Sequence, residues 1–278
     1  MQIDPQHPTN NDNSVDQFQS IILAGERPEG NEVSRAFNIS ASVMVPVAGK
    51  PSLQRVIAAI DKSESVRGGV ICGPSQTAIE KSDELSQLLE MTDHKWLKPD
   101  TGPAASAFAA LQQLNHYPAL LTAGDHALLT SDIVDEFCKL ALTHSDRSQF
   151  DIVIGFVPYA LVKAAWPESK RTVLKFSNGQ FCGSNLFAVL TPEGANALKF
   201  WRQAEADRKK PWKIAKRFGI LPLIMYLFRR LSIEDALSGL SSAANCKVGY
   251  VTVNFARAAV DVDSIADQKL AESILRSE

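Results

Sequence analysis

The stretch that indicates the fold most clearly is Ser20-Ile-Ile-Leu-Ala-Gly-Glu-Arg27, in which an apolar run ends in a glycine. Such a run predicts a buried strand that opens into a tight turn. The loop at residues 28–31 is polar and contains a glycine. A backbone with little side chain, followed by a guanidinium, suits the close approach of a phosphate chain. The residues at this turn that would lie closest to such a phosphate are Leu23, Ala24, Gly25, Glu26 and Arg27.

The residues after this turn alternate between helix and strand patterns. Residues 52–62 have apolar side chains at helical spacing, residues 68–72 form a short apolar run, and residues 78–89 again favour a helix. Strands that alternate with helices predict a parallel sheet with crossover helices. We therefore expect an α/β protein with three layers, α/β/α, around a mostly parallel central sheet.

A second strand pattern ends in a carboxylate. The apolar residues 119–123 are followed by Gly124 and Asp125, and open α/β sheets place their ligands at the C-terminal ends of strands. A lone aspartate at a strand end is more often a helix cap. His126, which follows, is interpreted as structural or as a supporting residue behind Asp125.

The second half of the chain continues the strand pattern. Residues 150–157 predict a buried strand, and residues 172–176 with Phe181 flank a hairpin turn at 177–179. Residues 247–253 predict a further strand, followed by Asp261-Val-Asp263. Ser264 is predicted to cap the last helix, with Asp267 at the third helical position.

Composition excludes several classes of protein. The 278 residues carry a net charge of −2, and 45% are hydrophobic, so a full core is expected and a general attraction to nucleic acid is not. The four cysteines are far apart, which indicates reduced thiols in a cytoplasmic protein. Residues 1–17 are polar and predict a disordered tail, and no apolar run reaches the length of a membrane span.

A basic region lies at residues 199–217, where eight basic and two acidic residues are interleaved with Trp201 and Trp212. It belongs to a predicted helical insertion at 192–245. A solvated basic helix that leads into a core helix explains the pattern. The alternative is a platform for an anionic, lipid-linked acceptor, with contact to a membrane surface through residues 199–230.

Residues 46–57 read Pro-Val-Ala-Gly-Lys-Pro-Ser-Leu-Gln-Arg-Val-Ile. With the opening turn, they resemble the start of nucleotidyltransferases of the glycosyltransferase-A-like fold. In that family L-A-G-G-x-G-x-R is followed by K-x-L-x-P-V-x-G-K-P and a helix. The pattern is most similar to that of the molybdenum-cofactor guanylyltransferase-like proteins. The resemblance implies one nucleotidyltransferase domain over residues 18–278.

The resemblance also implies roles for particular residues. Asp125 would hold Mg²⁺ on the nucleotide, with Asp261 or Asp263 as the second ligand. Arg27, Asp125 and Asp263 would form the catalytic set. The turn residues would contact the nucleotide: Leu23, Ala24, Gly25, Glu26 and Arg27. The other candidates are Gly102 and Ser106 under the nucleoside, and Arg171, Lys175 and Asn185 on the acceptor side. For Arg171 and Lys175 a solvated hairpin charge is the alternative.

Two positions depart from the family pattern. Glu26 stands where the family has its second glycine, and Ser42, a candidate nucleotide contact, stands where the family has a lysine that contacts the phosphates. Lys50 lies past the turn, so Arg35 or a basic residue from 208–217 is the expected substitute.

The sequence therefore predicts a Mg²⁺-dependent nucleotidyltransferase that uses a nucleoside triphosphate and an anionic acceptor. Nucleotidyl transfer needs a metal ion, cations and in-line positioning, and it does not need a protein nucleophile. The alternatives are a catalytically silent nucleotide-binding protein of the same fold and a glycosyltransferase that uses Asp261-Val-Asp263 as its metal motif. The base, the acceptor and the oligomeric state are not predicted.

Overall fold

The computed structural model describes residues 17–26, 30–143, 149–206, 225 and 229–277. Except for Gln17, the predicted disordered tail lies outside these residues. Arg27 and the basic residues of 207–217 also lie outside them. No helix within the described ranges is long and apolar enough to cross a membrane.

Ten strands are found in the described residues, and eight of them form one sheet. In chain order they are Phe18–Leu23 (β1), Pro46–Val47 (β2), Lys50–Pro51 (β3), Val66–Cys72 (β4), Lys95–Leu97 (β5), Ala119–Ala123 (β6), Ile152–Pro158 (β7), Leu174–Phe176 (β8), Gly179–Val189 (β9) and Val248–Thr252 (β10). The order across the sheet is β10-β7-β9-β6-β1-β4-β5, with β8 paired to β9, and β2 and β3 form a separate ribbon.

The sheet is mostly parallel, as predicted. β1 pairs in parallel with β4 and β6, β4 with β5, and β7 with β10. β9 is the exception, since it lies antiparallel between β6 and β7. The predicted hairpin is also confirmed, because β8 and β9 pair antiparallel on either side of its turn.

Ten α-helices are found in the same residues, and they cover both faces of the sheet. They are Glu32–Phe37 (α1), Ser52–Lys62 (α2), Gln76–Glu80 (α3), Asp83–Glu90 (α4), Pro103–Leu114 (α5), Ser131–Thr143 (α6), Tyr159–Ala165 (α7), Ala195–Ala206 (α8), Ile233–Ala244 (α9) and Ile265–Arg276 (α10). The prediction of one helix over 78–89 is wrong: Ser82 caps a new helix there by accepting from Leu85 N–H, so the segment divides into α3 and α4.

The core has a layer on each face of the sheet. Alternate residues of β1 point to opposite faces, so that Ile22 packs with residues of α2 and α6 while Ile21 packs with residues of α5, α8 and α9. A third cluster joins β2, the loop after β6 and α10, and it includes Val47, Leu128 and Val262. The three-layer α/β architecture is thus confirmed, and helices α8 and α9 lie within the predicted insertion at 192–245. Whether that insertion is a distinct unit stays a prediction.

The C-terminal ends of β1, β4 and β6 meet at one edge of the sheet. Backbone hydrogen bonds continue past the strands there, from Ala24 N–H to Cys72 O (2.9 Å) and from Gly124 N–H to Leu23 O (2.8 Å). Asp261 does not directly follow the last strand. A 3₁₀ helix, Ala256–Ala259, separates it from the end of β10 and carries the chain back toward this edge.

The close approach of β1 and β4 predicts a large effect for Gly73→Ala. Gly73 has φ +94°, and an added Cβ would lie 2.6 Å from Gly25 N. We expect the free energy of unfolding to fall by about 2–4 kcal/mol, since the clash adds to the backbone strain. Gly49→Ala is the matched control: φ is +75° and no atom lies within 4 Å of the added Cβ, so about 1 kcal/mol is expected. Equal losses in urea denaturation would contradict the close approach.

Candidate active site

Asp125 lies just beyond β6 and is tied to the C-terminal segment by its backbone. Its carbonyl accepts hydrogen bonds from Ala127 N–H (2.9 Å) and Val262 N–H (3.0 Å). Because the Val262 side chain is buried in the third core cluster, the segment is anchored on both sides of the backbone. Asp261 and Asp263, on either side of Val262, are thereby brought to Asp125.

The three carboxylates repel one another. Oδ1 of Asp125 is buried and has no hydrogen-bond partner among the described residues. Burial, and then the charges of Asp261 and Asp263, raise the pKa of Asp125 to about 7. The site therefore holds a carboxylate that is costly to ionise and that has an oxygen available for a ligand.

His126 is fully buried beside this cluster. Burial lowers its pKa to about 4, against the opposing effects of Asp261 and of the backbone at Arg257 and Ala258. The imidazole is therefore neutral at neutral pH and does not neutralise the carboxylates. Its position fits the structural interpretation made from the sequence.

Arg171 is the cation that braces Asp261. Its Nη1 lies 3.1 Å from Oδ1 of Asp261, and its Nη2 pairs with Oδ1 of Asp267 at the start of α10. The guanidinium side chain is only 7% exposed. Ser264 caps α10 by accepting from Asp267 N–H (3.2 Å), as predicted. One arginine thus fastens the carboxylate segment to the helix that follows it.

Asn185 completes the support of Asp261. It lies on β9 with φ +53°, and its Nδ2 donates to Oδ2 of Asp261 (3.0 Å). Both oxygens of Asp261 therefore already receive hydrogen bonds. The structure places Arg171 and Asn185 against this carboxylate, whereas Lys175, the third candidate for the acceptor side, is exposed on β8.

A cavity of about 670 Å³ lies beside the end of β7, between α7 and the β8–β9 hairpin. It belongs to the same edge of the sheet, because β7 runs in the direction of β6. Its lining includes Tyr159, Lys163, Phe176 and Phe181. No motif in the sequence indicated this aromatic lining, which is brought together by strand pairing.

The turn after β1 exposes its backbone at Gly25, while Leu23 is half-buried and Ala24 is buried. Glu26 is half-buried and accepts two backbone hydrogen bonds, from Asn31 N–H to Oε1 (3.1 Å) and from Ser42 N–H to Oε2 (2.8 Å). Ser42 is buried in a short 3₁₀ helix. The two departures from the family pattern are therefore in contact with each other.

The start of α5 has a carboxylate over it. Gly102 is the N-cap, and Oε2 of Glu205, from α8, accepts from Ala104 N–H (3.3 Å). Ser106 is buried, and its hydroxyl accepts from Asp100 N–H (2.9 Å). In this conformation Ser106 supports the preceding loop, so its role toward a nucleoside stays a prediction.

Part of the basic region is visible in α8. Lys199 and Arg202 each lie 5.5 Å from the centre of the Phe108 ring on α5. These two cations face a neighbouring helix. The remaining basic residues, from 208 to 217, lie outside the described residues, as does Arg27, and Arg35 is exposed on α1.

Several solved structures resemble this chain. A hypothetical transferase from Thermus thermophilus is 23% identical, with a TM-score of 0.73 over 91% of this chain and 99% of that one. The 4-diphosphocytidyl-2C-methyl-D-erythritol synthase of Anaerococcus prevotii is 12% identical, with a TM-score of 0.52 over 94% and 99%. Molybdopterin-guanine dinucleotide biosynthesis protein A of Archaeoglobus fulgidus is 12% identical, with a TM-score of 0.51 over 94% and 100%. At these identities the likeness shows the fold.

A comparison with curated protein sequences found no significant match. The family model described as the MobA-like NTP transferase domain matches residues 21–161, which run from β1 into α7 and include Asp125. The resemblance noted from the opening turn is thereby confirmed. This chain belongs to the MobA-like NTP transferase domain family.

Proposed function

We propose that this protein is a Mg²⁺-dependent nucleotidyltransferase that moves a nucleoside monophosphate from a nucleoside triphosphate to a phosphate or hydroxyl acceptor. The observation that carries the proposal is the buried, unpartnered Oδ1 of Asp125 beside Asp261 and Asp263. An oxygen in that position, at the ligand edge of the sheet, is suited to a cation. Family membership supports the same chemistry.

The donor set fits Mg²⁺ bound together with a nucleotide. The described residues contain no group of three or more metal-ligating side chains that could enclose an ion alone. Mg²⁺ is commonly held by one or two carboxylates, with phosphate oxygens and water in the other positions. Asp125, together with Asp261 or Asp263, is the proposed ligand set, and the hydrogen bonds from Arg171 and Asn185 hold the Asp261 carboxylate in place beside Asp125.

The reaction forms a bond from the acceptor oxygen to the α-phosphorus and breaks the bond to the bridging oxygen, releasing pyrophosphate. When bound, Mg²⁺ supplies positive charge to the phosphate oxygens. The chain's own contribution is positional. Gly25 leaves its backbone exposed for the nucleotide, and Arg171 holds Asp261 in place beside the other carboxylates.

The acceptor is proposed to lie on the side of β8 and β9. The aromatic cavity at the end of β7 lies there, and Lys175 is exposed on the same hairpin. The base stays open, because the names of the similar structures contain both cytidyl and guanine.

A catalytically silent nucleotide-binding protein is the second candidate. The contact between Glu26 and Ser42 favours it, because a carboxylate stands at the turn and the family lysine is missing. The family match favours nucleotidyl transfer over the glycosyltransferase alternative.

A panel of the four nucleoside triphosphates with Mg²⁺ tests the proposal. We expect one of them to raise the Tm, because a ligand that binds only the folded state stabilises it. With that nucleotide and simple phosphate acceptors, we expect pyrophosphate release that Asp125→Ala lowers on the order of a hundredfold. Asp93→Ala, at an exposed residue with no role in the site, is the control. Binding without pyrophosphate release would support the silent protein, and no Tm shift would overturn both candidates.

The carboxylate cluster predicts a pH-dependent stability in the absence of metal. The unfolded chain ionises Asp125 near pH 3.8, whereas the folded chain does so near pH 7. Ionisation therefore costs stability as the pH rises between these values, and the whole cost is present above about pH 7. In EDTA, Asp125→Asn should increase the free energy of unfolding by about 2–4 kcal/mol at pH 8 and by little at pH 4. Equal stability of both proteins at pH 8 would contradict the proposed repulsion.

We predict that the main effect of replacing Arg171 is a loss of protein stability, and that acceptor binding depends on it less. Arg171→Met leaves Asp261 and Asp267 without their shared cation, and we expect a loss of about 2–3 kcal/mol in urea denaturation. Lys175→Met, which removes an exposed lysine from the neighbouring strand, should be neutral in stability and should raise the acceptor KM. If the Arg171→Met protein has wild-type stability and a raised acceptor KM, Arg171 contacts the acceptor and this prediction is wrong.

A further inference from the structure

Glu26 and Ser42 were separate departures in the sequence, sixteen residues apart, and the fold joins them. The carboxylate of Glu26 spans two chain segments, the loop that ends at Asn31 and the 3₁₀ helix at Ser42–Met44. Each oxygen accepts one backbone N–H. The side chain therefore holds a negative charge immediately beyond Gly25, at the ligand edge of the sheet.

Among the described residues, carboxylates are concentrated at this edge of the sheet. Asp125, Asp261 and Asp263 lie together beyond β6, and the buried Arg171 is engaged by Asp261 and Asp267. Without metal, a triphosphate carries about four negative charges and a monophosphate about two, and the additional charge of the triphosphate lies on its distal phosphates. Two unit charges a few ångströms apart near a protein surface repel strongly enough to change an affinity by about tenfold.

We propose that Glu26 determines how many phosphates the cleft accepts, by opposing the distal phosphates of a nucleotide. The inference rests on the proposed nucleotide binding and deepens it by naming the preferred ligand class. The wild-type protein therefore binds a nucleoside triphosphate only slightly more tightly than the corresponding monophosphate. Glu26 is thus a specificity-determining residue and takes no part in bond making or breaking.

A purely structural role would have a different signature. Glu26 also fastens two loops together, so its loss should lower the stability of the free protein in either case. A fastening role changes the affinity for all nucleotides alike. Repulsion of distal phosphates changes the ratio of the monophosphate Kd to the triphosphate Kd, and that ratio separates the two roles.

The experiment measures this ratio by isothermal titration with Mg²⁺, using the nucleotide that gives the largest thermal shift and its monophosphate. Glu26→Gln keeps the shape of the side chain and removes its charge, and Glu26→Gly keeps neither. We expect the ratio to rise about tenfold in both variants at low salt. Glu32→Gln removes an exposed charge six residues away and is the matched control, with an unchanged ratio. A ratio that is the same in all four proteins would overturn the proposal.

The contact between the two positions gives a second, independent measurement. The backbone of position 42 lies beside the Glu26 carboxylate, with Ser42 N and Glu26 Oε2 2.8 Å apart, so the ammonium of a lysine placed there is within reach of Glu26. Ser42→Lys alone should therefore raise triphosphate affinity by less than twofold, because its ammonium pairs with Glu26. In a protein that already carries Glu26→Gln, Ser42→Lys should raise the triphosphate affinity by about a further tenfold. A full gain from Ser42→Lys in the presence of Glu26 would also overturn the proposal.

The measurements distinguish an error about Glu26 from an error about nucleotide binding itself. Nucleotide binding to the wild type with a constant ratio across the variants removes the role of Glu26 and leaves nucleotide binding in place. Absence of binding by the wild type and by every variant removes both. Pyrophosphate release is not needed for either measurement, so a catalytically silent protein gives the same answer about Glu26.

Discussion

The hydrogen bond from Val262 N–H to the carbonyl of Asp125 is the contact on which the site depends. It joins two segments that are 137 positions apart in the chain, one just past β6 and one past β10. Without it, the sheet would still present Asp125 at its edge, but the segment that carries the other two carboxylates would lose its backbone tie to Asp125. The burial of Val262 makes the contact directional, because the side chain points into the core while Asp261 and Asp263 flank it.

This arrangement holds like charges together against their repulsion. The stabilising contributions come from packing and from a few directed bonds: the third core cluster, the Arg171 brace and the amide of Asn185. None of them reaches the free oxygen of Asp125. Local stability is therefore lower than the same packing would give with neutral side chains, which is typical of sites built for a charged ligand.

Much of the fold could be predicted because its signals are local. The apolar run before Gly25, the strand before Asp125 and the cap at Ser264 each depend on a few neighbouring residues. The break at Ser82 was missed because apolar spacing continues across it. The pairing of Arg171 with Asp261 and the contact of Glu26 with Ser42 depend on how distant segments meet. Local residue patterns do not indicate which distant segments come into contact. The sequence therefore suggested solvent or the acceptor as the partner of Arg171.

The antiparallel strand β9 has a consequence for how the protein is made. It pairs with β6 on one side and β7 on the other, and β10 completes the sheet beyond β7. During synthesis the first half of the chain leaves the ribosome with β6 as an open sheet edge, which stays open until residue 189 has been made. An unpaired edge in a nascent chain is a template for wrong pairing. The residues matched by the family model thus emerge as an unfinished sheet. β9 covers the open edge of β6, and the segment after β10 then delivers two of the three carboxylates.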